Sequence, residues 1–129
     1  METGRYQLQA RENFDRGLPL SLMDLESQGM MKDRVFGVTQ TIFHAPYYTR
    51  HVVGVASVLG QRVDDSGTSA YVCEASYAVF RTKPGQTSEV FNVGRYRDEL
   101  VETPEGLRLR WRRCIYDTEL VLNSLIYPI

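Results

Sequence analysis

At 129 residues, with 43% hydrophobic and 24% charged residues and a net charge of −1, the chain has the size and make-up of one domain, residues 1–129, around one core. No run approaches the ~18 consecutive apolar residues of a membrane span, and no charged segment leading into an apolar one marks the N-terminus for export, so no membrane is expected as a partner and the cytoplasm is the expected compartment. The near-zero charge gives no pull towards nucleic acid, because the basic run Arg108, Arg110, Arg112 and Arg113 is balanced by Asp98, Glu99 and Glu102 on an expected neighbouring strand.

In chain order, Tyr6, Leu8 and Ala10 suggest a first strand, and Leu18, Leu20 and Leu22 alternate with Pro19, Ser21 and Met23 as a short second one. Met31, Val35, Val38 and Ile42 fall at helical spacing on one face, with Gly29 as a breaker ahead of them. Residues 48–63 are rich in β-branched side chains and end at Asp64, Asp65, Ser66 and Gly67, a composition suited to a tight turn.

From Tyr71 the residues Cys73, Ala75, Tyr77 and Val79 alternate with Glu74, Ser76 and Ala78, which predicts a half-buried strand. The stretch from Lys83 to Thr87, with Pro84 and Gly85, breaks that pattern, and residues 90–101 resume it as the second arm of a hairpin. Pro104 and Gly106 mark another turn. Beyond it Leu107, Leu109, Trp111, Arg113 and Ile115 alternate with Arg108, Arg110, Arg112 and Cys114, so Trp111 is expected to face the core and the first three even-numbered arginines to face out. The pattern predicts an α+β fold in which a curved antiparallel sheet dominates. One short helix cannot cover such a sheet, so either a helical segment absent from this sequence or a partner chain is expected to complete the core.

The inventory for chemistry is thin. The chain has two histidines, His44 and His51, seven residues apart with Pro46 between them, which does not make a zinc-binding helix motif and requires further ligands for any metal. Cys73 and Cys114 lie in strand-like runs without a nearby histidine, so they read as reduced core thiols and cannot form a Rieske-type cluster. No glycine-rich phosphate cradle is present. No cofactor, metal or catalytic residue is therefore expected in this chain. The alternative is a polar pocket inside the curved sheet where His51, Tyr77 and Asp117 carry out acid–base chemistry, or a homo-oligomeric module that binds a small aromatic ligand without turnover. The closing residues Leu125, Ile126, Tyr127, Pro128 and Ile129 are unusually apolar for a terminus and predict a last strand or a subunit-interface strip.

Several segments together resemble a known family. They are residues 32–36 (KDRVF), 48–54 (YTRHVVG), 77–81 (YAVFR), 90–96 (VFNVGRY), 103–108 (TPEGLR), 113–117 (RCIYD) and 123–129 (NSLIYPI). In this order and spacing they resemble β subunits of aromatic-ring-hydroxylating oxygenases, most of all the small subunits of salicylate 5-hydroxylase and of anthranilate and benzoate dioxygenases. The resemblance implies a nuclear-transport-factor-2-like cone and a structural, non-catalytic role. It also implies an α-subunit partner carrying a Rieske [2Fe–2S] cluster and mononuclear iron, commonly in an α3β3 hexamer fed by ferredoxin and reductase components. Family members carry a helical region ahead of the strand that residues 4–10 match. This sequence starts almost at that strand, so that cover is expected to be absent. A free-standing dehydratase or isomerase of the same fold is the competing expectation.

Overall fold

Alternating side chains and glycine-bearing turns build most of this chain into one sheet, seen in a computed structural model that describes residues 4–41 and 45–118. The elements are β1 (Arg5–Ala10), α1 (Arg11–Asp15), β2 (Met23–Leu25), α2 (Gln28–Phe36), a π-helical turn (Gly37–Thr41), β3 (Tyr48–Val53), β4 (Ser57–Val63), β5 (Ser69–Thr82), β6 (Glu89–Thr103) and β7 (Gly106–Tyr116). Among the described residues the strands run in the order β2-β1-β7-β6-β5-β3, and β4 continues the β3 edge along the other half of β5. The sheet is curved and unclosed, as expected for an α+β cone.

The expected antiparallel pairing holds everywhere except between β1 and β7, which run parallel, with Leu8 opposite Cys114. Period-two alternation places a residue on a face but carries no strand direction, so this pair was not legible as parallel.

The turns form as their composition dictates. Asp64 accepts hydrogen bonds from the backbone N–H groups of Ser66 and Thr68, each at 2.9 Å, and Gly67 takes φ +82°. Gly85 and Gly106 likewise carry positive φ in the β5–β6 and β6–β7 connections. The β-rich run 48–63 is broken at 54–56, where the Gly54 N–H donates to the Ser76 carbonyl at 2.8 Å.

Three expectations fail locally. The leucine alternation at 18–22 is loop, with Leu20 61% exposed, and the strand begins only at Met23; Pro19 lies inside that run and cannot donate to a ladder. Gly29 lies inside α2, whose cap is Ser27, the side chain accepting from the Met30 N–H at 3.2 Å. On that helix Met31 packs against the core and Val38 is buried, but Val35 is 58% exposed, so the stripe meets the sheet only in part. Ile42 and His44 lie outside the described residues, as do Leu125, Ile126, Tyr127, Pro128 and Ile129.

The main buried cluster lies on one face, here the inner one, while Ile115, Gln7 and Gln9 are buried on the other. Tyr6 and Leu8 of β1, Tyr77 and Val79 of β5, Phe91 and Tyr96 of β6, and Cys114 and Tyr116 of β7 form the inner cluster. By contrast β3 and β4 are exposed along their whole length, with Val52, Val53 and Val58 open, as is Val55 between them.

Candidate functional site

The inner face gathers tyrosines because the β5–β6 and β6–β7 registers bring them together. Tyr96 lies opposite Ala75 and Cys114, and Tyr77 opposite Gly94, itself opposite Tyr116. The Tyr77 and Tyr96 rings stack, with centroids 4.4 Å apart. The Tyr77 hydroxyl donates to Asn92 Oδ1 at 2.7 Å. His51 Nδ1 lies 3.5 Å from the Tyr96 hydroxyl, and the Arg112 guanidinium sits 4.3 Å above the Tyr96 ring while forming a two-pronged pair with Asp98 at 2.7 and 3.0 Å.

Of the three residues proposed for acid–base chemistry, the structure brings His51 and Tyr77 to the same cluster, linked through Tyr96. Asp117 sits at the end of β7, with its carboxylate 3.6 Å from Arg11 and its backbone N–H on the Val93 carbonyl. Tyr96, Asn92 and Arg112 join the cluster without having been singled out from sequence.

Electrostatically the cluster favours protonated groups. Burial raises the Tyr77 phenol far above its ordinary value and pushes Tyr96 up to about 12, where nearby Cys114 adds to the effect and the Arg112 cation opposes it. Burial also pushes the Cys114 thiol up to about 12, against a hydrogen bond with Tyr6. Groups so held are poor bases and poor nucleophiles at neutral pH. Among the described residues no three His, Cys, Asp or Glu side chains gather as a metal site.

Trp111 and Arg112 reverse the expected orientation. Arg112 faces the tyrosines, while Trp111 lies half-buried on the outer face, with the Arg5 and Arg113 guanidiniums 5.0 and 4.3 Å from its ring. An arginine can lay its aliphatic stem and flat cation along an aromatic ring, so a charge does not mark a solvent face as reliably as alternation suggests. The expected balance of the β7 arginines holds for Arg110, on Glu99 and Asp64, and for Arg112, on Asp98; Arg108 pairs with Glu105 rather than Glu102. Burial lowers Arg113, which has no carboxylate within ion-pair distance among the described residues.

No family model matches the chain. The anthranilate 1,2-dioxygenase small subunit of Burkholderia cepacia is 33% identical over 124 residues, covering 96% of this chain and 74% of that protein. The β subunit of an aromatic-ring-hydroxylating dioxygenase from Novosphingobium aromaticivorans superposes with a TM-score of 0.81 at 34% identity, over 99% of this chain and 77% of that one. The benzoate 1,2-dioxygenase β subunit of Burkholderia mallei shares the fold at 10% identity, with a TM-score of 0.66 over 95% of this chain and 76% of its own. A curved sheet with a tyrosine-lined inner face, an exposed β3–β4 edge and a relative at this identity along nearly its whole length have one common account: the chain belongs to the small (β) subunits of aromatic-ring-hydroxylating dioxygenases.

Proposed function

We propose that this chain is the non-catalytic scaffold of a multicomponent oxygenase that hydroxylates aromatic acids of the salicylate or benzoate kind in the cytoplasm. In this reading the oxygen chemistry belongs to a large α subunit holding a Rieske [2Fe–2S] cluster and mononuclear iron, arranged as α3β3 and supplied with electrons by ferredoxin and reductase components. The observation that carries it is the 33% identity to an anthranilate dioxygenase small subunit along 96% of this chain. The inner cluster supports it as well, because its hydroxyls and thiol are held protonated and engage one another, which suits packing more than turnover. No residue of this chain is assigned to catalysis. The exposed β3–β4 edge and residues 125–129 are the proposed contacts with other subunits. The unbroken sheet from β1 to β7 supports treating residues 1–129 as one domain.

The test is to express the tagged chain with its neighbouring genes and to measure the mass and iron content of what elutes. A complex containing a larger, iron-bearing subunit is expected, with none of the iron in this chain once the subunits are separated. An iron-free assembly of this chain alone, active on a small substrate and silenced by His51→Ala, would overturn the proposal.

A further inference from the structure

On the outer face, opposite the tyrosines, the parallel β1–β7 register sets Arg5 against Trp111 and Gln7 against Arg113. Both glutamines of β1 are buried there, Gln7 at 6% exposure and Gln9 at 5%, and they hold the loop that follows α1. The Gln7 side-chain amide donates to Ser21 Oγ at 2.6 Å, and that of Gln9 donates to the Leu18 carbonyl at 2.7 Å. Between this pinned loop and β7 lies a groove of about 280 Å³ whose lining includes Phe14, Leu18, Pro19, Trp111 and Arg113.

The charges around this groove are unevenly matched. Arg5 is paired with Asp24 at 2.6 Å, Arg97 with Glu74 at 2.9 Å, and Arg95 lies 3.8 Å from both Asp15 and Glu74. Arg113, half-buried between the rings of Trp111 and Phe14, has aromatic neighbours instead of a carboxylate among the described residues. The indole Nε1–H of Trp111 is buried with no hydrogen-bond acceptor there either. A half-buried cation with no carboxylate partner among the described residues, lining an open groove, suits an anion, and the planar guanidinium fork matches a carboxylate. The apolar walls call for a flat hydrocarbon body behind it. The groove lies just under the ~300 Å³ at which pockets for drug-sized ligands begin, so the ligand is smaller than those.

We propose that this groove binds a small organic carboxylate with a flat apolar body, its carboxylate on Arg113 and its ring between Trp111 and the Leu18–Pro19 wall. The site is on the opposite face of the sheet from the tyrosine cluster and does not depend on the scaffold reading.

Trp111 is the chain's single tryptophan, so its fluorescence reports the groove directly. Benzoate, acetate and benzamide are titrated into the full chain, and the wild type is compared with Arg113→Gln and, as a surface control, Arg108→Gln. Benzoate is expected to give a saturable change, with acetate and benzamide each at least about tenfold weaker. Arg113→Gln should lose the benzoate response and Arg108→Gln keep it, with circular dichroism confirming that both variants are folded. No saturable change, or benzamide equal to benzoate, would overturn the proposal without any recourse to variants. Acetate equal to benzoate would also overturn it, assigning the groove to an acidic side chain of a partner subunit instead.

Discussion

A Cβ at Gly94 would lie 2.9 Å from the Tyr116 Cα and collide with the Ile115 carbonyl oxygen, because β7 presses its backbone onto β6 at that point. Backbone cannot step aside as a flexible side chain does, so Gly94→Ala is expected to cost about 3 kcal/mol, a large share of a typical domain's net stability. Urea unfolding monitored by circular dichroism checks it, and an unchanged midpoint would refute it. The buried hydroxyls and thiol nearby make a second claim at this scale. Cys114 and Tyr96, each pushed up to about 12, and the still higher Tyr77 keep their protons longer in the folded chain than in the unfolded one, where the ordinary values are 9.0 for the thiol and 10.0 for the phenols. Nothing is lost below about pH 9. Above it the unfolded chain sheds protons first, and stability falls by roughly 1.4 kcal/mol per pH unit for each group as pH rises towards 12. Thermal melts from pH 7 to 11 should therefore be flat and then drop steeply, and a Tm that held level to pH 11 would contradict this burial. Of these residues Tyr77 was legible as inward-facing from alternation and Cys114 as a core thiol from its residue type, although alternation set it on the face of the arginines; the role of Gly94 was not legible, since close backbone approach depends on a neighbour more than twenty residues away.

Two bulges explain why the rest of the inner cluster escaped sequence reasoning. Arg81 pairs with Glu89 and Phe80 with Val90, but the next partner of β5 is Asn92 opposite Val79, so Phe91 is the extra residue. Counting back from the turn without that slip would set Arg95, not Tyr96, opposite Ala75 and miss the stacked pair. A similar shift between Glu99 and Leu100 moves β7 by one residue against β6. The β5, β6 and β7 strands themselves were readable, because their alternation and turn residues are local; register is not. At the β3–β4 edge the elements were readable as extended chain, yet the bare apolar surface on them was not. Replacing Val52 and Val58 together by lysine there should leave the chain's circular dichroism unchanged but lower recovery of the complex at least about tenfold, the effect of losing ~1.4 kcal/mol of binding. Removing residues 126–129 should act in the same direction. Full recovery of both variants by size-exclusion chromatography would take the subunit contacts away from this edge and this terminus.

The whole molecule is an open sheet with aromatic side chains in use on both faces: stacked tyrosines inside, and arginines laid over Phe14 and Trp111 outside. The α+β class was legible from periodicity and the cone from the ordered set of family-like segments, because alternation yields strands but not the order in which they lie side by side. That order puts the first of the described strands beside the last of them. Leu8 and Cys114 are neighbours in the core but more than a hundred residues apart along the chain. During synthesis β1 therefore has no β7 to pair with until nearly all of the chain has emerged, and closing so long a loop is slow. Until then the short β2 is the one strand Tyr6 and Leu8 have to pair with among the described residues, which leaves the first of these strands only half secured and makes the interval before it docks on β7 the period in which newly made chains are most prone to aggregate.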